Sequence, residues 1–138
     1  MANRRRPAKF PFVNLLAATA WHPARLRSPA DFRALGADRQ GVLLEWPLAQ
    51  ELWRRAAIDG HDDPEQLLHW SGKEHEIDFV LPPTDFVEVK RGRSGPLDFR
   101  WFPASFPRGR LRVLGAERWE TERIVGETLQ DFLMGNPA

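Results

Sequence analysis

Asp78, Glu88 and Lys90 lie among apolar residues in the stretch HEIDFVLPPTDFVEVK, at residues 75–90. Polar and apolar residues alternate on both sides of the Pro-Pro-Thr segment, which predicts two strands joined by a three-residue turn. In that register Asp78 lies directly opposite Glu88, and Glu76 lies opposite Lys90. Directly opposed carboxylates repel each other, so this hairpin is unfavourable unless something offsets their charge.

A divalent cation would offset that charge. Mg²⁺ is commonly held by one or two carboxylates together with waters and phosphate oxygens, and Asp78 and Glu88 provide such a pair. Lys90 follows Glu88 by two residues on the same strand face, so its ammonium can reach a metal-bound water or a phosphate. The three residues together are typical of metal-assisted phosphodiester hydrolysis. The spacing alone leaves open an ordinary polar face, on which Lys90 pairs with Glu76 across the strands.

The elements around this hairpin must hold it in place. The other face of the predicted hairpin is apolar and is expected to form a core face consisting of Ile77, Phe79, Leu81, Val87 and Val89. Before the hairpin, a helix is predicted from about Leu43 or Leu44 to Gly60, with Pro47 in its first turn. A short helix is expected after Ser28, and further strands are expected in RLRVLG and near RIVG. This order predicts an α/β or α+β domain with one mixed sheet.

Composition bounds the class of protein. The 138 residues include no cysteine, which excludes disulfides, thiolate zinc sites and cysteine nucleophiles. The length predicts one domain over residues 1–138, with about the first eight residues flexible. Residues 59–88 carry nine acids and one base, whereas residues 90–112 carry seven bases and one acid. Such neighbouring blocks could form a cation site beside a phosphate-attracting surface, or two solvated faces of opposite sign.

A set of motifs in a fixed order covers most of the chain, from about Lys9 to Gly115. These motifs are KFPFVNLL, GVLLEWPLAQELWRR, LLHWSGKEHEIDFVLP, FVEVKRGRSGPLDF and FPRGRLRVLG. Together they resemble the PD-(D/E)xK nuclease superfamily, in which an acid on a core helix precedes a hairpin bearing Asp and then Glu-x-Lys. More narrowly, they resemble the uncharacterised C-terminal domain of bacterial and archaeal AAA-type P-loop ATPases. The resemblance implies a restriction-endonuclease-like core, with a mixed central β-sheet and flanking helices.

The resemblance also implies roles for individual residues. Asp78 and Glu88 would bind Mg²⁺ or Mn²⁺, with the Val89 backbone carbonyl as a third ligand, and Lys90 would orient water or stabilise charge. Glu45 would be the core-helix acid. DNA would be the substrate, and its phosphates are expected to contact a group of exposed basic residues, Arg91, Arg93, Arg100 and Arg108. Two residues near this basic block, Trp101 and Trp119, are candidate stacking platforms for bases.

Some features depart from the family pattern. Asn14 stands where the family usually has Asp, and Pro47 constrains the helix that carries Glu45. The segment SGKE at residues 71–74 lacks the remainder of a Walker A loop, so the ATPase half is not expected in this chain. The alternative function is therefore a non-catalytic module of the same fold, which binds DNA or regulates a partner AAA-type ATPase.

The sequence also predicts where the protein is located and what it associates with. The absence of cysteine fits the cytoplasm, and the absence of a long apolar run predicts no membrane association. Either an AAA-type ATPase domain or a second copy of the chain could be a partner. A third hypothesis is a small secreted protein, since the basic start and the Ala-x-Ala at residues 18–20 resemble a secretion signal.

Overall fold

The structure is a computed structural model that describes residues 14–60, 67–81 and 83–135. The predicted flexible N-terminus and Pro82 of the predicted turn lie outside these residues. The helices are α1 (Leu15–Ala20), α2 (Pro29–Ala34), α3 (Ala37–Ile58), α4 (Phe102–Ser105) and α5 (Leu129–Met134), with a 3₁₀ turn at Pro96–Phe99. The strands are β1 (Leu68–Ser71), β2 (Glu76–Leu81), β3 (Asp85–Val89), β4 (Arg110–Gly115), β5 (Trp119–Glu120) and β6 (Ile124–Thr128).

The six strands form one mixed sheet in the order β1-β2-β3-β4-β6-β5. The first three strands are an antiparallel meander. The chain then crosses over through the 3₁₀ turn and α4, so that β4 runs parallel to β3, and β6 runs parallel to β4. The short β5 closes one edge antiparallel to β6. The predicted α/β class, with a mixed central sheet and helices beside it, is confirmed.

Both faces of the sheet are covered by apolar side chains. On one face, α3 and α5 pack over a cluster that includes Leu48, Leu52, Val87 and Phe132. On the other face, the crossover segment contributes its aromatic rings to a second cluster, which consists of Ile77, Phe86, Phe99, Phe102, Leu111, Val113 and Ile124. The central strand β4 contributes to both clusters, Leu114 to the first and Leu111 and Val113 to the second, while Arg110 and Arg112 at its start are exposed.

The predicted core face of the hairpin is right except at one position. Phe79, Val87 and Val89 lie in the first cluster, and Leu81 packs against it. Ile77 instead lies in the second cluster. A β-bulge causes the change, because β1 and β2 shift register between the pairs Leu68–Val80 and Trp70–Ile77. The extra residue on β2 moves Ile77 to the opposite face.

The central helix begins earlier than the sequence predicts. It starts at Ala37, so Pro47 lies in the interior of α3 and the prediction of a first-turn proline is wrong. The buried side chain of Gln40 explains the early start. Its amide donates to the carbonyls of Arg33 and Leu35 at the end of α2, which fixes the turn between the two helices. The predicted end is confirmed, since Gly60 follows with a φ of +83°.

The remaining predicted elements are present. Ser28 caps α2 by accepting a hydrogen bond from the backbone N–H of Asp31. The segment RLRVLG forms β4, and RIVG contains the start of β6, which α5 follows. The helix α5 is capped by Gly135, whose backbone is in the left-handed region. None of the helices formed by the described residues combines the length and the apolar composition needed to cross a membrane.

Candidate active site on the β2–β3 hairpin

The hairpin adopts the predicted register. Leu81 pairs with Asp85, and pairing continues as far as Phe79 with Val87, so the next positions outward are Asp78 and Glu88. There the carboxylates bind the opposite strand. The backbone N–H of Asp78 donates to Glu88 Oε2 at 3.1 Å, and the N–H of Val89 donates to Asp78 Oδ2 at 2.9 Å. Each strand therefore uses a side-chain oxygen where a sheet normally uses a backbone carbonyl.

Asp78 lies in the β-bulge itself. Between the pairs Leu68–Val80 and Trp70–Ile77, β2 places two residues, Asp78 and Phe79, opposite one residue of β1. Bulges re-aim side chains and occur often next to active sites. The bulge thus allows Asp78 to be buried beside Glu88 while Phe79 packs into the core under α3.

The two carboxylates are buried together. Asp78 is 5% exposed and Glu88 is 4% exposed. Burial, reinforced by the charge of Asp78, raises the pKa of Glu88 to about 7, even though a hydrogen bond from Lys90 opposes the shift. Near neutral pH Glu88 therefore binds a proton readily, because its negative charge in this buried environment is not fully compensated.

Lys90 completes the group. Its Nζ lies 2.5 Å from Glu88 Oε1, and 45% of its side chain is exposed. Burial alone would lower the pKa of Lys90, but the hydrogen bond to Glu88 and the charges of Glu88, Asp78 and Glu76 together raise it. Lys90 is therefore an ammonium at neutral pH, and it can donate hydrogen bonds or stabilise negative charge rather than act as a general base. The alternative pairing of Lys90 with Glu76 is replaced by the ion pair with Glu88.

The donor set suits a hard divalent cation. Carboxylate oxygens each carry two lone pairs, so an oxygen that accepts one N–H can still bind a metal. Among the residues that the structure describes, no three His, Cys, Asp or Glu side chains are grouped to hold a metal. Asp78 and Glu88 would provide the side-chain carboxylates of such a site, and Mg²⁺ is commonly held by one or two carboxylates together with waters and phosphate.

Glu45 is placed differently from the hairpin carboxylates. It is half-buried on α3, the helix that packs over Val87 and Val89. Because strand residues alternate, Glu88 points to the other face of the sheet. Glu45 does not join Asp78 and Glu88 in a three-residue group, so its supporting role stays a prediction.

The four predicted phosphate-binding arginines do not lie together. Arg91 and Arg93 are exposed on the loop that directly follows β3, and Arg93 forms an ion pair with Glu117 at 2.5 Å. Arg100 is exposed at the end of the 3₁₀ turn. Arg108 precedes β4 and therefore lies at the opposite end of the parallel strands. The six residues of β4 separate the two ends by about 16 Å. Arg91 and Arg93 therefore lie at the end of the sheet that carries Glu88 and Lys90.

A cavity of about 660 Å³ lies away from the hairpin carboxylates, beside α3 and the beginnings of β3 and β4. Its lining contains four arginines, Arg55, Arg110, Arg112 and Arg123. Arg55 is bound by Glu51 and the Phe132 carbonyl, and Arg112 is bound by Glu127. The arginines bound in this way hold the fold together, so the chemistry is better placed at the hairpin.

Two features were missed at the sequence level. Glu127 is 2% exposed and pairs with Arg112 at 2.7 Å, although RIVGET reads as an ordinary strand. His75 stacks on Trp101, whereas Trp119, the other candidate platform, packs on Phe99. The sequence shows that aromatic residues cluster around the hairpin, but this clustering does not specify which rings stack on each other.

Comparisons of the chain with protein-family models, with curated proteins and with solved structures find no match.

Proposed function

We propose that this chain is a metal-dependent nuclease of the PD-(D/E)xK type, with a restriction-endonuclease-like core, and that it hydrolyses phosphodiester bonds in DNA. The observation that carries the proposal is the buried pair of Asp78 and Glu88, each bound to the other strand's backbone, with Lys90 on Glu88. A hairpin built for stability alone would satisfy the same N–H groups with backbone carbonyls and would avoid burying two charges.

The order of elements supports the proposed core. The long helix α3 precedes a hairpin whose first strand carries Asp78 and whose second carries Glu88-Val89-Lys90. This is the order of acid-bearing helix, Asp strand and Glu-x-Lys strand that the superfamily uses. The exposed Arg91 and Arg93 directly after the Glu-x-Lys strand support a polyanionic substrate.

Each residue has a distinct part in the proposed reaction. Asp78 and Glu88 would hold Mg²⁺ or Mn²⁺, with the Val89 carbonyl and waters as further ligands. A cation bound there lowers the pKa of a coordinated water and neutralises phosphate charge. Lys90, as an ammonium with a half-exposed side chain, would orient the attacking water or stabilise the charge that develops on the phosphate.

Calorimetric titration of Mn²⁺ into the protein is the first test. The wild type is compared with Asp78→Asn and Glu88→Gln, which keep side-chain size but remove a charge. Glu76→Gln is the matched control, because Glu76 is an exposed acid on the same strand as Asp78. We expect saturable binding in the wild type and the control, and at least tenfold weaker binding in the other two variants.

Cleavage of linear and supercoiled DNA in Mg²⁺ or Mn²⁺ follows, with Lys90→Ala as a further variant. Loss of one electrostatic donor typically reduces a rate by about a hundredfold or more, so Lys90→Ala should cut slowly while it still binds Mn²⁺. The proposal is wrong if the folded wild type binds no Mn²⁺ in either the absence or the presence of DNA.

A second candidate function is favoured by one observation. Among the described residues no three His, Cys, Asp or Glu side chains are grouped to hold a metal, and Lys90 is held directly on Glu88. The same fold could bind DNA without cutting it, or regulate an AAA-type ATPase. In such a module the ion pair between Lys90 and Glu88 would have a structural role. DNA binding without metal binding or cleavage would support this candidate instead.

A further inference from the structure

Aromatic rings form a continuous stack on the face of the sheet that carries the second core cluster. The ring of His75 lies 4.2 Å from that of Trp101 with an angle of 3° between their planes. Trp101 in turn stacks on Trp70 at 5.9 Å and 19°. Trp70 and Trp101 are half-buried, whereas His75 is exposed, so the stack runs from the core outward to solvent.

The stack lies beside the proposed active site. Because β2 and β3 are antiparallel, the start of β2 and the end of β3 lie at the same end of the sheet. His75 directly precedes β2, and Glu88 and Lys90 are at the end of β3. The faces also agree, since Trp101 packs on the cluster containing Phe86, and Glu88 follows Phe86 by two residues on the same strand.

The stack is held rigidly. Phe106 packs edge-on against Trp70 at 5.1 Å. Gly72 in the β1–β2 turn allows the Trp70 ring to approach, because a Cβ at this position would lie 2.6 Å from the ring. The same turn is closed by a hydrogen bond of 2.8 Å from the Gly72 N–H to the His75 carbonyl. A preformed ring surface costs little entropy when a ligand stacks on it.

We propose that the outer face of His75, supported by Trp101 and Trp70, is a stacking platform for an unpaired base next to the phosphate that is cut. Among the described residues, Trp101 is the one aromatic ring stacked on His75, and the exposed outer face continues the series of parallel rings. Stacking on aromatic side chains recognises unpaired bases of any sequence, because every base has a flat π-face. The platform makes single-stranded or frayed DNA the substrate class, and this inference rests on the proposed nuclease function.

The test uses a single-stranded DNA oligonucleotide containing one 2-aminopurine, whose fluorescence is quenched when it stacks. Binding is measured by fluorescence anisotropy in Ca²⁺, which limits cleavage, and quenching is measured on the same samples. The variants are His75→Ala, His75→Trp as the conservative rescue, and Glu74→Gln as the control at an exposed neighbour in the same turn. A blunt duplex of the same sequence is the reference ligand.

We expect His75→Ala to weaken single-strand binding about tenfold and to abolish quenching. His75→Trp should restore both, while Glu74→Gln and duplex binding stay unchanged. Equal quenching in the wild type and His75→Ala overturns the platform, as does a wild type that prefers the blunt duplex. If His75-dependent stacking occurs but Asp78→Asn still binds Mn²⁺ like the wild type, the platform stands and the proposed nuclease site fails.

Discussion

Asp78 and Glu88 take the place of backbone carbonyls at the open end of the β2–β3 hairpin. Each accepts an N–H from the opposite strand, at 2.9 Å and 3.1 Å. Desolvating two carboxylates costs far more than desolvating two neutral carbonyls, and Lys90 contributes only one positive charge to the group. Buried titratable groups with incompletely compensated charge concentrate at functional sites. For this reason the pair, rather than the cavity of about 660 Å³, is the candidate active site.

This arrangement predicts a pH dependence of stability. The pKa of Glu88 is raised from 4.5 to about 7 by burial and by Asp78. Since the folded state then binds this proton more tightly than the unfolded chain does, its contribution to stability is complete below pH 4.5 and is lost as the pH rises through about 7. The loss should be on the order of 1–3 kcal/mol. Glu88→Gln cannot ionise, so its unfolding free energy should fall less between pH 5 and pH 8.

Urea unfolding of the wild type, Glu88→Gln and Glu76→Gln at these two pH values checks the prediction. Glu76→Gln should keep the pH dependence of the wild type, because Glu76 is exposed. Equal pH dependence in all three proteins would show that Glu88 is not the group responsible.

At the scale of elements, one arginine joins α3 to α5. The Arg55 guanidinium lies 4.0 Å from the centre of the Phe132 ring, donates to the Phe132 carbonyl at 2.5 Å, and is bound by Glu51 at 2.7 Å. Arg54 binds the same Glu51 but is more exposed, and this ion pair lies within α3. Substituting each arginine in turn therefore distinguishes the contact between α3 and α5, made by Arg55, from the ion pair within α3, made by Arg54.

We expect Arg55→Ala to lower the unfolding free energy by about 1–2 kcal/mol, because it removes a cation–π contact and a charged hydrogen bond between elements. Arg54→Ala should cost less than about 0.5 kcal/mol, as an exposed helical ion pair does. Chemical denaturation of both variants gives the comparison. Similar losses in the two would mean that α5 is not held by Arg55.

The sequence predicts most elements because their signals are local. Ser28 marks a helix start, Gly60 marks a helix end, and alternation marks the strands of the hairpin. The start of α3 depends instead on Gln40, whose amide reaches the carbonyls at the end of α2. A contact of this kind between two helices leaves no periodic signal, and it outweighs the tendency of Pro47 to begin a helix.

The candidate site is likewise predicted by local signals in part, and depends on contacts between elements for the rest. The hairpin register, and with it the pairing of Asp78 with Glu88, follows from alternation and the length of the turn. The bulge that moves Ile77 to the other face depends on pairing with β1, which alternation within β2 cannot reveal. The direction of Lys90 toward Glu88 rather than Glu76 is set by burial, since Glu88 is buried and Glu76 is exposed.

At the scale of the whole molecule, the parallel strands give the sheet two distinct ends. Arg91 and Arg93 follow β3 at the end where Glu88 and Lys90 lie, whereas Arg108 precedes β4 at the other end. The basic block of the sequence is therefore divided in space, and its members should contribute unequally to DNA binding.

The salt dependence of DNA binding tests that division. Each phosphate contact adds about 0.7–0.9 to the slope of log K against log salt concentration. Arg91→Ala together with Arg93→Ala should therefore reduce the slope by about 1 to 2, since these side chains border the site. Arg108→Ala removes one positive charge at the far end of the sheet and should leave the slope unchanged. Titrations of labelled DNA at several salt concentrations measure all three slopes. An equal reduction of the slope by Arg108→Ala would mean that DNA extends along the whole sheet, rather than across the end that carries Glu88 and Lys90.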